Sequence, residues 1–369
     1  MKLLIPFLLL LSTQAFSGFM PKNNLGNEDQ KHRKITDLTE ERFLKLANQV
    51  MDTFNPYAEA HGKTLTLEPL WDSIEVNAYA YPTDDLMVVQ MHGGLARRPE
   101  VTEDGFQLVV CHETGHHLAG FAKYDPESWA GSEGQSDYFA SHVCAKEIWK
   151  EDFDKNAMYE TIAPKALKDN CNNSYQEDAE RYLCYRTGMA GYSLATLLSF
   201  GGEVDLAARD GSVVEETYVS HPDAQCRLDT YVSGGLCTVA FDKEAIPQTE
   251  EEARESSCMR VDEYKLEARP LCWFAPTLVV EPKPEEFSVE GVLRGEGIYG
   301  LKFSNVIADA SYIKVYWGFD SWYAFAILDV VGSEFVTKKA WGLGDDLELK
   351  IEVVDGQENV LFTKLVTLK

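Results

Sequence analysis

Apolar residues recur at helical spacing from Thr39 to Phe54, where Phe43, Leu44, Leu46, Ala47 and Val50 form one face. Thr39 can cap this helix, and Glu40 and Glu41 suit its first turn. Leu65–Tyr81 and Leu86–Met91 are rich in β-branched and aromatic residues and read as strands. Thr102–Leu118 predicts a helix with a threonine cap, Glu103 and Asp104 in its first turn, and a stop near Gly120. A second long helix is expected over Glu133–Trp149, and one or two more over Gln176–Phe200. The stretch Gly18–Lys34 is polar and predicts irregular structure.

The pattern changes at Glu281-Pro282-Lys283-Pro284-Glu285-Glu286, which has the composition of a linker. Beyond it lie about seven short strand-like runs: Phe287–Val292, Ile298–Phe303, Tyr312–Trp317, Tyr323–Val330, Phe335–Trp341, Leu347–Val353 and Val360–Leu368. Their number and spacing fit a small all-β, immunoglobulin-like sandwich. No fixed-period repeat or low-complexity tract is apparent. The fold class expected is therefore α+β followed by all-β, with a first domain at residues 18–280 and a second at 287–369.

Composition narrows the options. The chain has 369 residues, 45% of them hydrophobic, with 34 Lys+Arg against 60 Asp+Glu and a formal charge of −26. That apolar content excludes a disordered polyanion, and the charge argues against nucleic acid or anionic lipid as the main partner. Met1-Lys2, the apolar run Leu3–Leu11 and the small residues Ala15 and Ser17 have the parts of a secretory signal peptide, residues 1–17, with cleavage after Ser17. The run is well short of the roughly 20 residues a bilayer span needs, so a soluble, exported (periplasmic or secreted) protein without a membrane span is expected. Eight cysteines in such a protein predict disulfides. Pairing of near neighbours would join Cys111 with Cys144, Cys171 with Cys184, Cys226 with Cys237 and Cys258 with Cys272. With no CxxC spacing, a cysteine-based zinc site is disfavoured.

His112-Glu113-Thr114-Gly115-His116 fits H-E-x-x-H. On a helix, residues four apart share a face, so both imidazoles can meet one zinc ion and Glu113 lies where a carboxylate can deprotonate water. The surrounding Phe106, Leu108, Val109, Val110 and Leu118 are apolar, and burying two histidines and a glutamate among them is costly without a metal or partners. Glu133 and Asp137 share a face at the start of the next helix. Glu133 can complete a His₂Glu site that leaves one position open, and Asp137 can accept a hydrogen bond from the outward nitrogen of a ligand histidine, His112 foremost.

Further pieces extend the pattern. In chain order, Asn77-Ala78-Tyr79, Gly94-Leu95, HETGH, Glu133-Gly134-Gln135-Ser136-Asp137 and Ser220-His221-Pro222 with Arg227 resemble the CAAX-prenyl-protease/HtpX-type gluzincin zinc metallopeptidases. The resemblance spans roughly Leu65–Thr230 and implies a zincin-like first domain. It also implies one Zn²⁺ per chain on His112, His116 and Glu133, with Glu113 as general base in peptide hydrolysis. Asn77 and Ala78 would lie on an edge strand that pairs with the backbone of a peptide or protein substrate. His221 and Arg227 would lie near the metal and steady the oxyanion. Prenyl-protease members span membranes several times and this chain does not, so CAAX substrates are not implied. Neither the β-domain nor the cysteines belong to the family core.

Other residues have plainer readings. His117 points about 100° around the helix from His116 and suits packing or support of the site. His142 reads as a half-buried histidine and His92 as part of a turn. Trp317, Trp322, Tyr323 and Trp341 read as β-domain core, and the acidic run Thr249–Glu255 as solvated surface. Two rival functions remain: an idle zinc-binding chaperone of the same fold, and an envelope-associated binding protein or adhesin working through its β-domain. An intact Glu113 argues against the first, and the lack of a fourth protein ligand against the second. Access to an exported protease's cleft is expected to be controlled, with Gly18–Lys34 one candidate guard.

Overall fold

The computed structural model describes residues 17–26, 38–242, 245–262 and 264–277, and then 288–295, 298–304, 306, 310–317, 323–330, 335–336, 348–354 and 360–367. Residues 1–16 of the expected leader, the polar stretch beyond Gly26, the linker Glu281–Glu286, Trp322 and Trp341 lie outside these. The chain divides into two compact units, residues 1–279 and 280–369.

The first unit combines helices with one four-stranded sheet. Strands β1 (Ser17–Gly18), β2 (Thr64–Leu70), β3 (Ala78–Pro82) and β4 (Leu86–His92) lie in the order β1-β3-β4-β2. The β2/β4 pair is parallel and the others are antiparallel. The single strand expected over Leu65–Tyr81 is thus two strands on opposite sides of β4. The chain leaves the sheet after Leu70 and turns through Trp71–Ser73, where Ser73 N–H bonds Leu70 C=O and Arg97 caps the carbonyls of Trp71 and Ser73.

Helix α1 (Glu40–Ala60) starts where expected, with Thr39 Oγ1 accepting from Arg42 N–H. It continues past Pro56 to Ala60, beyond the expected end at Phe54, because Met51, Phe54 and Ala58 carry its buried face onward. A short helix α2 (Gly93–Ala96) follows β4.

Helix α3 (Glu103–Leu118) is the central element. Thr102 Oγ1 caps Gly105 N–H at 3.0 Å, and the helix is buried on every face from Asp104 onward. Asp104 anchors its first turn to α8 (Asp178–Leu198) through a fork from Arg186 at 2.8 and 3.0 Å, with Lys155 and Tyr159 on the same carboxylate. Helix α4 (Glu133–Phe139) runs through a π turn at Ala140–Cys144 into α5 (Ala145–Trp149), together filling the expected Glu133–Trp149 span. Helices α6 (Phe153–Ile162), α7 (Lys165–Ser174), α9 (Ala224–Leu236) and the short α10 (Glu250–Arg254) were not apparent from the sequence pattern. The acidic run Thr249–Glu255 is not all solvated: Glu250 is buried and accepts from Thr277 N–H.

All eight cysteines pair: Cys111–Cys144, Cys171–Cys184, Cys226–Cys272 and Cys237–Cys258. Two expected pairings hold and two do not. Cys226 lies in the first turn of α9 and Cys237 at its C-cap. The helical rise puts them roughly 16 Å apart, far beyond the ~7 Å a disulfide spans between Cα atoms. Each therefore bridges to a cysteine outside the helix.

In the second unit a strand is described within each of the seven expected runs, that over Phe335–Trp341 only at Phe335–Val336, with 337–341 outside the described residues. Strands β5 (Ser288–Gly295), β6 (Ile298–Ser304) and β9 (Phe335–Val336) make one sheet, ordered β5-β6-β9. Strands β7 (Tyr312–Trp317), β8 (Tyr323–Asp329), β10 (Glu348–Val354) and β11 (Val360–Thr367) make the other, ordered β11-β10-β7-β8. Val289, Leu301 and Phe303 of the first sheet share one apolar core with Ile313, Val315, Leu349, Ile351 and Val353 of the second. The alternation of these residues along each strand is what places them on one face.

Candidate metal centre and active site

Two helices build the centre. His112 and His116, one turn apart on α3, face Glu133 at the start of α4, and all three are fully buried. Close approach of the helices depends on Gly115, where a Cβ would come within 3.1 Å of the Ser136 backbone. The disulfide Cys111–Cys144 joins the same two stretches, immediately before His112 and at the end of the π turn.

One nitrogen of each histidine and one oxygen of Glu133 lie within 4.8 Å of one another. His112 Nε2 is 3.1 Å from His116 Nε2, and Glu133 oxygens are 3.3 Å from His112 Nε2 and 3.7 Å from His116 Nε2. Two nitrogens bound tetrahedrally to zinc at 2.0–2.1 Å would be about 3.3 Å apart. Facing imidazole nitrogens at this distance repel unless a cation or a proton lies between them. The donor set, two imidazoles and a carboxylate, therefore fits a zinc ion.

The outward nitrogens are held. His112 Nδ1 lies 2.7 Å from Asp137 Oδ1, as expected from sequence, and His116 Nδ1 lies 2.8 Å from Gly131 C=O and 2.9 Å from Ser136 Oγ. Asp137 also accepts from Arg227 Nε and Nη2 at 2.6 and 2.7 Å and from Tyr231 O–H at 2.5 Å. Such hydrogen bonds fix which ring nitrogen faces the metal.

Electrostatics follow from this burial. Burial alone would raise the Glu133 carboxyl, but His116, His112 and His221 hold it below the ordinary carboxylate range. Burial likewise acts to raise Asp137, and Arg227 and His112 outweigh it. His112 is opposed by burial yet pushed up to about 9 by Asp137 and Glu133, whereas burial takes His116 down to about 3. Glu113 behaves differently. Burial drives its carboxyl well above the usual value, against the pull of His112, and neither oxygen has a hydrogen-bond partner among the described residues.

The remaining expected residues also gather here. Asn77 precedes β3 and Ala78 opens it, at the edge carrying β1. His221, on the loop before α9, has Nε2 3.6 Å from Glu133 Oε1 and is partly exposed. Arg227 on α9 is committed to Asp137 through two nitrogens, and its third donates to Phe19 C=O at 2.6 Å. The loop carrying His221 is tied down by Cys226–Cys272 and by Tyr218 N–H to Trp273 C=O.

Several contributors were not anticipated. Tyr124 O–H donates to Glu133 Oε1 at 2.5 Å from the loop between α3 and α4, and no pattern marks it. Tyr231 was accessible in principle, since it stands four residues from Arg227 on one helix. Ser17 places its hydroxyl 3.1 Å from His116 Nε2 and 3.2 Å from Glu133 Oε1. It sits at the expected leader boundary, which falls inside β1. His117 bonds Val88 C=O and packs on Trp129, and His142 bonds Val239 C=O, in line with packing roles, although His142 is more buried than expected. His92 ends β4 rather than forming a turn, bonded to Ser73 and Gln90.

No family model matches the chain, and no curated protein or solved structure is detectably similar to it. Among the described residues no helix is long and apolar enough to cross a membrane.

Proposed function

We propose that the protein is an exported zinc-dependent endopeptidase of gluzincin type, with a zincin-like first domain and an immunoglobulin-like β-domain appended. The observation that carries this is Glu113: a wholly buried carboxyl with no hydrogen-bond partner among the described residues, next in sequence to one of three residues whose donor atoms converge at metal-ligand spacing. A purely structural site has no use for such a group. Export is supported by the four disulfides, which persist in oxidising compartments. The resemblance of the motif series to CAAX-prenyl-protease/HtpX-type gluzincins supports the peptidase reading from the sequence side.

Zinc held by His112, His116 and Glu133 would supply a Lewis acid for the scissile carbonyl and make water acidic enough to attack near pH 7. Glu113 takes the proton from the attacking water and delivers it to the leaving amine. Burial is what raises its carboxyl, and a nearby cation favours its ionised form. His221 is the donor assigned to the oxyanion, an interaction whose removal typically costs on the order of 10²–10³ in rate. Arg227 is a positioning residue: it orients Asp137, and through it His112. Asn77 and Ala78 receive the substrate backbone as an added strand.

Zinc bound per chain, measured for the protein and for His116→Ala and Glu133→Gln, tests the assignment. About one zinc in the parent and strong loss in both variants is expected. A folded parent that takes up no zinc when the metal is resupplied would overturn it.

A further inference from the structure

Residues 17–26 run antiparallel along residues 74–80, the edge assigned above to substrate. Phe19 N–H donates to Ala78 C=O at 3.1 Å, and the Asn77 carboxamide both accepts from Met20 N–H and donates to Met20 C=O, each at 3.0 Å. His221 Nε2 donates to Gly18 C=O and Arg227 Nη1 to Phe19 C=O, both at 2.6 Å. These five bonds address backbone atoms alone and would hold any extended peptide. Upstream of them, the Ser17 hydroxyl touches two of the three metal-ligand residues.

One side chain is read specifically. Phe19 is 0% exposed, its ring edge-on to the His112 imidazole at 5.2 Å and stacked against the Arg227 guanidinium at 4.6 Å. Both walls are fixed by Asp137, so the subsite is rigid before anything enters it. An aromatic ring suits it because it buries apolar area and offers a π face to the cation.

We propose that Ser17–Met20 occupies the substrate cleft as a peptide would, closing it, and that the Phe19 subsite selects substrates with an aromatic residue two positions after the one at the metal ligands. This rests on the peptidase reading of the site and adds both its regulation and its substrate class. Cleavage of a leader after Ser17 would leave Gly18 and Phe19, both carbonyl contacts and the ring in place.

The test uses a fluorescein-labelled, end-blocked Ser-Gly-Phe-Met peptide and its Ser-Gly-Ala-Met counterpart, with binding followed by anisotropy on the whole chain carrying Glu113→Gln. Saturable binding is expected when Phe19→Ala is added and not without it, and the alanine peptide should bind weaker by about tenfold or more. Gly18→Val is a second opening variant, since its side chain would come within 2.8 Å of the Tyr79 ring. It gives the same readout should Phe19→Ala fail to fold. Equal binding by the chain with and without these changes, or equal binding of the two peptides, overturns the proposal. With Glu113 restored, binding without casein cleavage would retain the cleft occupancy and remove the peptidase reading. Casein cleaved equally by the parent and Phe19→Ala would retain the peptidase and remove the occupancy.

Discussion

Asp137 Oδ1 sits 2.7 Å from His112 Nδ1 while the same carboxylate is gripped by both edge nitrogens of Arg227. The His112 imidazole is thus oriented by a buried ion pair on two other helices. Asp137→Asn keeps the shape but weakens the acceptor. It is expected to lower zinc affinity about 10–100-fold, read by competition with a chelator while circular dichroism verifies the fold. Unchanged affinity would show that Asp137 does not orient His112.

Asp104 tethers the opposite end of the HETGH helix. Its carboxylate is buried with Arg186, so Asp104→Ala leaves Nε and Nη2 of a buried guanidinium without their acceptor, with only Nη1 still held by Asp152 and Asn156. A loss of about 3–5 kcal/mol is expected by denaturant titration. A loss below ~1 kcal/mol would mean that water reaches Arg186 and the pair is not an anchor.

Cys111–Cys144 ties the helix of His112 and His116 to the helical stretch that begins at Glu133, across a separation of 33 residues. Replacing both cysteines by alanine should cost roughly 3–4 kcal/mol if the bridge acts through the unfolded chain. Zinc should also dissociate faster, because His112 adjoins the bridge. Equal stability with and without the bridge would refute this.

Buried neutral histidines set the acid response. Burial pushes His142 down to about 3 and His117 to about 4, while an unfolded histidine titrates near 6.5. Between these values the unfolded chain binds more protons than the folded one, so stability falls as pH drops below ~6.5. The loss is up to about 1.4 kcal/mol per pH unit for each histidine. His142→Gln should flatten the dependence of unfolding free energy on pH between 6 and 4 by about one proton. An unchanged slope would show that His142 protonates without penalty.

Much of the site was legible because its chemistry has a fixed period. The i, i+4 spacing of His112 and His116 and the matching Glu133–Asp137 spacing each define one helix face, and Thr102 with Glu103 and Asp104 marks where the first helix begins. The seven β-domain strands were legible from alternation and spacing. What escaped depends on contacts distant in sequence. The break after Leu70 is hidden because apolar residues continue through Trp71, Ile74 and Val76. The pairing of Cys226 and Cys237 with distant partners follows only once Ala224–Leu236 is known to be a helix, and its Gly234-Gly235 pair masks that. Tyr124 and Ser17 reach Glu133 from segments with no periodic pattern at all.

Zinc content and casein hydrolysis, measured side by side for the chain and for Glu113→Gln, each with and without Phe19→Ala, test the central claim most directly. The account predicts about one zinc per chain in all four proteins. Hydrolysis should occur only where Glu113 is intact, and fastest with Phe19→Ala. Hydrolysis undiminished by Glu113→Gln, or a folded chain that binds no zinc after the metal is resupplied, would contradict it.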